Sequence, residues 1–141
     1  MKNSKYYLSL ILSFIALSAS AEADENSKFL TFLEDEWQYE LRQSPVYATA
    51  MGVKGYETLW RDNSLEAIEA RRSHNKDTVE ALKGFKKENL SKANQLNLRL
   101  FTDLAKKEVE IDQFNRHLLP FNHRGGIQLA HEDAENLPFK N

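Results

Sequence analysis

A serine stands just ahead of each of three helix-forming stretches, and this punctuation limits the possible folds more than any other feature of the chain. Ser44, Ser64 and Ser91 each occupy a position where a side-chain oxygen can accept from the free backbone N–H groups of a helix start. Pro45 follows Ser44 at the first helical position, where its missing N–H costs nothing. Before the first of these serines, Phe29, Leu30, Leu33, Trp37 and Leu41 recur at spacings of three to four, which predicts a helix over 27–41. Glu34, Asp35, Glu36 and Glu40 interrupt that stripe, so one face of the helix is wet.

The short helix "PVYATAM" is expected to end at Gly52, and "VKGYETLWRDN" after it has no helical period. That segment reads as a loop plugged by Tyr56 and Trp60. Ser64 opens a second long helix over 65–87, with a seam of Leu65, Ile68, Arg72, Asn75, Val79 and Leu82. The two polar residues in its middle require water or a polar partner there. "KKENLS" breaks the pattern. Ser91 then opens the longest helix, over 92–118, with the stripe Leu100, Leu104, Ile111, Phe114 and Leu118. Glu108 falls inside that stripe and needs a partner, for which Arg72 on the facing seam is the candidate. Pro120 disfavours helix at Leu119 and sets the end. The fold class is all-α: long antiparallel helices with one short helix and an irregular aromatic loop, an incomplete part of a larger helical fold.

The N-terminus has a separate logic. Lys2 and Lys5 precede the apolar run "YLSLILSFIAL", and Ala19-Ser20-Ala21 supplies the small residues of a signal-peptidase site. The run is too short for a bilayer span of about 20 residues. Residues 1–21 therefore read as a signal peptide cleaved near Ala21, and 22–141 as the helical segment of a periplasmic or secreted protein with no membrane contact after cleavage. Without Lys2 and Lys5, 17 basic residues stand against 21 acidic ones. The charges are interspersed, which favours neither nucleic acid nor an anionic membrane surface. The absence of cysteine excludes disulfides, thiolate metal sites, a cysteine nucleophile and a lipidated cysteine. An exported domain of this size is then held by packing, or by a partner.

Three groups of residues could carry chemistry. His117, His123 and His131 lie six and eight residues apart, unlike the i, i+4 pair of a helical zinc motif. A loop could still fold them around zinc with Glu132 or Asp133, but a helix-end histidine and a capped helix start explain them without a metal. The acids of "EDE" (34–36) and "HEDAE" (131–135) could serve as acid/base pairs, yet adjacent carboxylates on such helices are ordinarily a solvated face. In "FNHRGGIQL", Gly125 and Gly126 allow positive φ or close backbone approach, and Arg124 with Gln128 could hold a carboxylate or a peptide backbone. A turn that reverses the chain accounts for the same residues. No nucleophile elbow and no HExxH stretch is present, so no catalytic residue is assigned.

Taken in order, "FLEDEWQYELRQSPVYATAMGV", "SLEAIEARR", "LLPFNHRGGIQ" and "LPF" resemble the N-terminal part of the bacterial family known as domain of unknown function 885. The resemblance covers essentially all of 22–141. It rests on a P-x-x-A-T-x-x-G turn at Pro45, Ala48, Thr49 and Gly52, and on a P-x-N-x-x-G-G loop at Pro120, Asn122, Gly125 and Gly126. His123 and Arg124 fall on variable positions of that loop. The resemblance implies an exported, mostly helical parent of several hundred residues, similar to zinc metallopeptidases of the carboxypeptidase or dipeptidase kind. In that parent a far C-terminal HEAxPGH-like stretch would hold zinc and activate water. No such stretch occurs in this chain, so the expectation is an N-terminal fragment that is inactive alone, lacks its cofactor's ligands and has the missing C-terminal half as partner. The loop residues Asn122, Arg124, Gly125, Gly126 and Gln128 would meet peptide substrate. The alternative expectation is a self-contained helical module that binds a peptide or protein through the Arg72/Asn75 seam or the Tyr56/Trp60 loop.

Overall fold

The computed structural model describes the backbone over 4–118, 121–122, 125–129 and 131–132, with side chains over 24–118 and at 126, 128, 129, 131 and 132. Four helices account for most of it, in keeping with the all-α expectation: α1 (Ser4–Gln43), α2 (Pro45–Ala50), α3 (Leu65–Lys83) and α4 (Lys92–Asp112). The one extended pairing among the described residues joins β1 (Phe121–Asn122) to β2 (Gly125–Gly126), antiparallel. Among the described residues, no helix is long and apolar enough to cross a membrane.

Two of the three serine caps form as expected. The Ala67 N–H donates to the Ser64 hydroxyl oxygen at 3.2 Å, and the Asn94 N–H to Ser91 at 3.3 Å. Ser44 sits at the start of α2 but its hydroxyl donates back to Glu40 at 2.8 Å instead of capping. Helix lengths differ from expectation. No glycine or proline separates Ser4 from Gln43, and α1 runs unbroken through the position near Ala21. α3 stops at Lys83 because Gly84 follows and Phe85 turns inward, its ring edge-on to Phe29 at 5.1 Å. A single 3₁₀ turn, Lys87–Asn89, then leads to Ser91. α4 ends six residues before Leu118. Asn115 adopts φ 47°, a conformation asparagine tolerates better than most residues, and Arg116–Leu118 is a 3₁₀ turn.

The three long helices alternate in direction. Phe29 of α1 meets Phe85 beyond α3, and Gln43 meets Arg71 near its start, so α1 and α3 are antiparallel. Arg72 reaches Asn115 and Asn75 reaches Asp112, so α4 runs antiparallel to α3 as well. The bundle is closed tightly at the α3–α4 hairpin. There Glu25 accepts from the Lys86 N–H at 2.8 Å, and Asn26 accepts from both the Ser91 N–H and the Asn94 amide. The core lies just above: Phe29, Leu82, Leu90, Leu98 and Ala105, with Phe32, Leu33, Val79, Phe85 and Phe101 packed around them.

The buried faces are not quite those that spacing suggests. On α1, Phe29 is fully buried while its neighbour Leu30 is 53 % exposed, and Trp37 is also exposed. On α4 the buried positions are Asn94, Leu98 and Ala105, whereas Leu100, Leu104, Phe114 and Leu118 of the expected stripe are all exposed. On α3, Leu65 is exposed and the seam becomes buried only toward Leu82. The loop over 53–63 exists, but Trp60 is 65 % exposed and plugs nothing.

Candidate functional site

Above the aromatic core the helices present polar residues to each other, and the bundle opens. α1 contributes Glu36, Tyr39, Glu40 and Gln43, α3 contributes Arg71, Arg72 and Asn75, and α4 contributes Glu108 and Asp112. Groups that must keep hydrogen-bond partners cannot close a dry interface, and two adjoining cavities remain between the three helices. One, of about 380 Å³, is walled by Leu33, Trp37, Phe101, Leu104 and Ala105. The other, of about 930 Å³, lies toward the start of α3 and takes in Arg61, Arg71, Arg72 and Arg116. Tyr39, Glu40, Asn75 and Glu108 border both, so the two form one groove.

Its floor is a four-residue cluster. The His74 Nε2–H donates to Glu36 Oε2 at 3.1 Å, the Thr78 hydroxyl donates to the same oxygen at 3.2 Å, and the Tyr39 ring stacks on the imidazole at 3.6 Å and 18°. Glu36 and His74 are both mostly covered. Burial pushes the Tyr39 phenol above its ordinary range. One carboxylate oxygen shared by two donors on α3 sets the register of α1 against it. A second polar crossing, Asn75 amide to Asp112 at 3.0 Å, does the same for α4.

These contacts correct two expectations. Glu36 is no part of a solvated acid face: Glu34 and Asp35 are exposed, whereas Glu36 turns inward. Arg72 does not pair with Glu108. Its two terminal nitrogens donate to Glu69 at 2.6 Å and to Asn115 at 2.8 Å, and Glu108 stays exposed at the groove's lip. The expectation that the Arg72/Asn75 seam meets polar partners holds.

The loop candidates lie elsewhere. Asn122 and Gly125 pair across the two-residue ladder, with Gly126 at φ 131°, so this part of the loop does reverse the chain. Gln128 is exposed on a 3₁₀ turn. His117 is exposed on its own 3₁₀ turn instead of in a helical last turn, and His131 is exposed. Arg124 and His123 lie outside the described residues. Among the described residues, no group of three or more histidine, aspartate or glutamate side chains is placed to hold a metal. His74 carried no pattern that marks it in sequence. Its signal was its position on the α3 face between Arg71 and Thr78, readable only once Glu36 is known to face it.

Toward the wide end of the groove, Arg71 donates to the Asp62 carbonyl at 2.8 Å and more weakly to Gln43 at 3.4 Å. Burial, and next the like charge of Arg61, lower its pKa from the usual guanidinium range. Asp62 is held below the usual carboxylate range by the Ser64 backbone N–H, which donates at 2.8 Å, and by the Ser64 hydroxyl. No family model, curated protein or solved structure matches the chain.

Proposed function

We propose that this chain is a polypeptide-binding helical unit whose groove between α1 and α4 accepts an apolar segment of a partner. The observation that carries the reading is the uncovered apolar wall formed by Trp37 and Leu104, the latter 59 % exposed, beside a satisfied polar floor. Exposed apolar surface gathered in a concave site marks a place for a ligand or another polypeptide. The floor supplies fixed donors and acceptors that orient what lies above it. A selection of displayed random peptides on the chain tests the reading. Enrichment of apolar side chains, lost in Leu104→Glu, is the expected result. An enriched pool that binds Leu104→Glu equally well would refute it.

A second reading is favoured by a further set of exposed apolar residues outside the groove, Leu30, Leu96 and Leu100 among them. In it, the resemblance to domain of unknown function 885 is taken at face value. The chain is then the exported, periplasmic or secreted N-terminal segment of a zinc-dependent peptidase, and the partner over these residues is that protein's catalytic half, which brings the zinc. Light scattering and a thermal melt on residues 22–141, with and without zinc, separate the two. A sharply melting monomer supports the self-contained unit. Self-association with a broad transition supports the covered segment.

A further inference from the structure

We infer that the wide end of the groove is a carboxylate site, and that the segment bound is a peptide C-terminus with its last apolar side chain about three residues from the chain end. The inference rests on the groove reading above and adds the occupant's chemistry.

Two observations carry it. First, the wide cavity of about 930 Å³ combines Arg61, Arg71 and Arg116 with an apolar wall of Leu65, Ile68 and Ile111. Guanidinium donors beside apolar surface suit a group that is anionic at one end and apolar behind it. Arg61 and Arg116 are exposed and make no hydrogen bond or ion pair among the described residues. Arg71 commits one terminal nitrogen to Gln43 and the Asp62 carbonyl, leaving the rest of its five-donor fork open. Arg61 and Arg71 repel each other, a cost that an anion between them removes. Three carboxylates line the same cavity as the four arginines: Glu40 accepts from Ser44, Asp112 accepts from Asn75, and Glu108 stands exposed on the α4 lip.

Second, the spacing fits. Trp37 and Gln43 on α1, and Leu104 and Asp112 on α4, mark the apolar and wide ends of the same groove. At the helical rise these pairs are separated by roughly 9–12 Å. An extended peptide covers that distance in about three residues. A free small anion would need only the arginines; the adjoining apolar cavity at this distance points to a chain end.

The test is fluorescence anisotropy on the full chain with two labelled hexapeptides, each with leucine three residues before its end, one a free acid and the other its C-terminal amide. The expected result is binding of the acid about tenfold or more tighter than the amide. That difference is lost in the Arg61→Ala, Arg116→Ala double variant, both sites being exposed and outside the core. Equal affinity of acid and amide would overturn the carboxylate assignment and leave the groove reading standing. Binding of neither would overturn both. Inorganic phosphate that binds at the arginines without being displaced by the acid peptide would assign the site to a free anion instead.

Discussion

Phe29 and Leu30 are adjacent, both apolar, and opposite in fate, which makes them a sharp test of how α1 faces the bundle. Phe29 is fully buried and meets Phe85 edge-on at 5.1 Å, while packing in the cluster with Leu82, Leu90 and Leu98. Truncating a buried phenylalanine costs about 3–5 kcal/mol, the lost ring contact included. A domain of this size has a total stability of about 5–15 kcal/mol, so Phe29→Ala removes about a fifth or more of it. With a urea slope of about 1–3 kcal/mol per molar, its midpoint falls by about 1 M or more. Leu30 is 53 % exposed and outside that cluster, and Leu30→Ala should cost less than about 1 kcal/mol. Urea unfolding followed by far-ultraviolet circular dichroism on both variants decides the matter. Equal losses would refute the burial argument and rotate α1 toward the face that spacing alone suggests.

The caps give a graded series: Ser64→Ala and Ser91→Ala each lose about 1 kcal/mol in thermal or urea melts, and Ser44→Ala loses less, because its hydroxyl serves Glu40 and caps nothing. In acid, the lowered pKa of Asp62 means that its ionised form favours the fold. Its contribution is present above the ordinary aspartate range and disappears as pH falls through the lower folded value. The gap in melting temperature between the wild-type protein and Asp62→Asn should therefore close in strong acid. In alkali the sign reverses for Tyr39, whose raised pKa makes the neutral phenol the folded form. Stability present below the ordinary tyrosine range is lost as pH rises through the raised value, and Tyr39→Phe should lack that alkaline loss.

The helices were legible because caps and breakers are local. Ser64 and Ser91 act through N–H groups three residues away, and Pro45 acts on its own backbone, so no tertiary information is needed. The helix ends were less legible. Gly84 and Asn115 stop their helices where the pattern of charges still permits another turn, and Phe85 leaves the helix because a place between Phe29 and Phe32 takes its ring. The candidate site was the least legible. Glu36 sits between two exposed acidic or aromatic neighbours, and nothing in "EDEW" distinguishes the one carboxylate that meets His74 and Thr78 from those that meet water.

α4 shows why periodicity fixed a helix but not its buried side. It carries two rows at helical spacing. Leu96, Leu100 and Leu104 form the larger and more apolar one, and Asn94, Leu98 and Ala105, with Phe101 between, form the other. A reading by size selects the first row. The structure buries the second: Ala105 joins the core cluster with Leu82 of α3, and the Asn94 amide is satisfied by Asn26 of α1 at 2.7 Å. The leucine row is left outward, 48–59 % exposed. Surface helices usually place charge in such positions; three leucines spaced by four are an apolar stripe of the kind that packs against another polypeptide. Leu104 belongs both to this row and to the groove wall, so a segment seated in the groove and a partner laid along α4 meet at the same residue. Leu96→Glu, remote from the groove lining, therefore separates them: it should leave binding of the short acid peptide unchanged and abolish only self-association or capture by a larger helical partner.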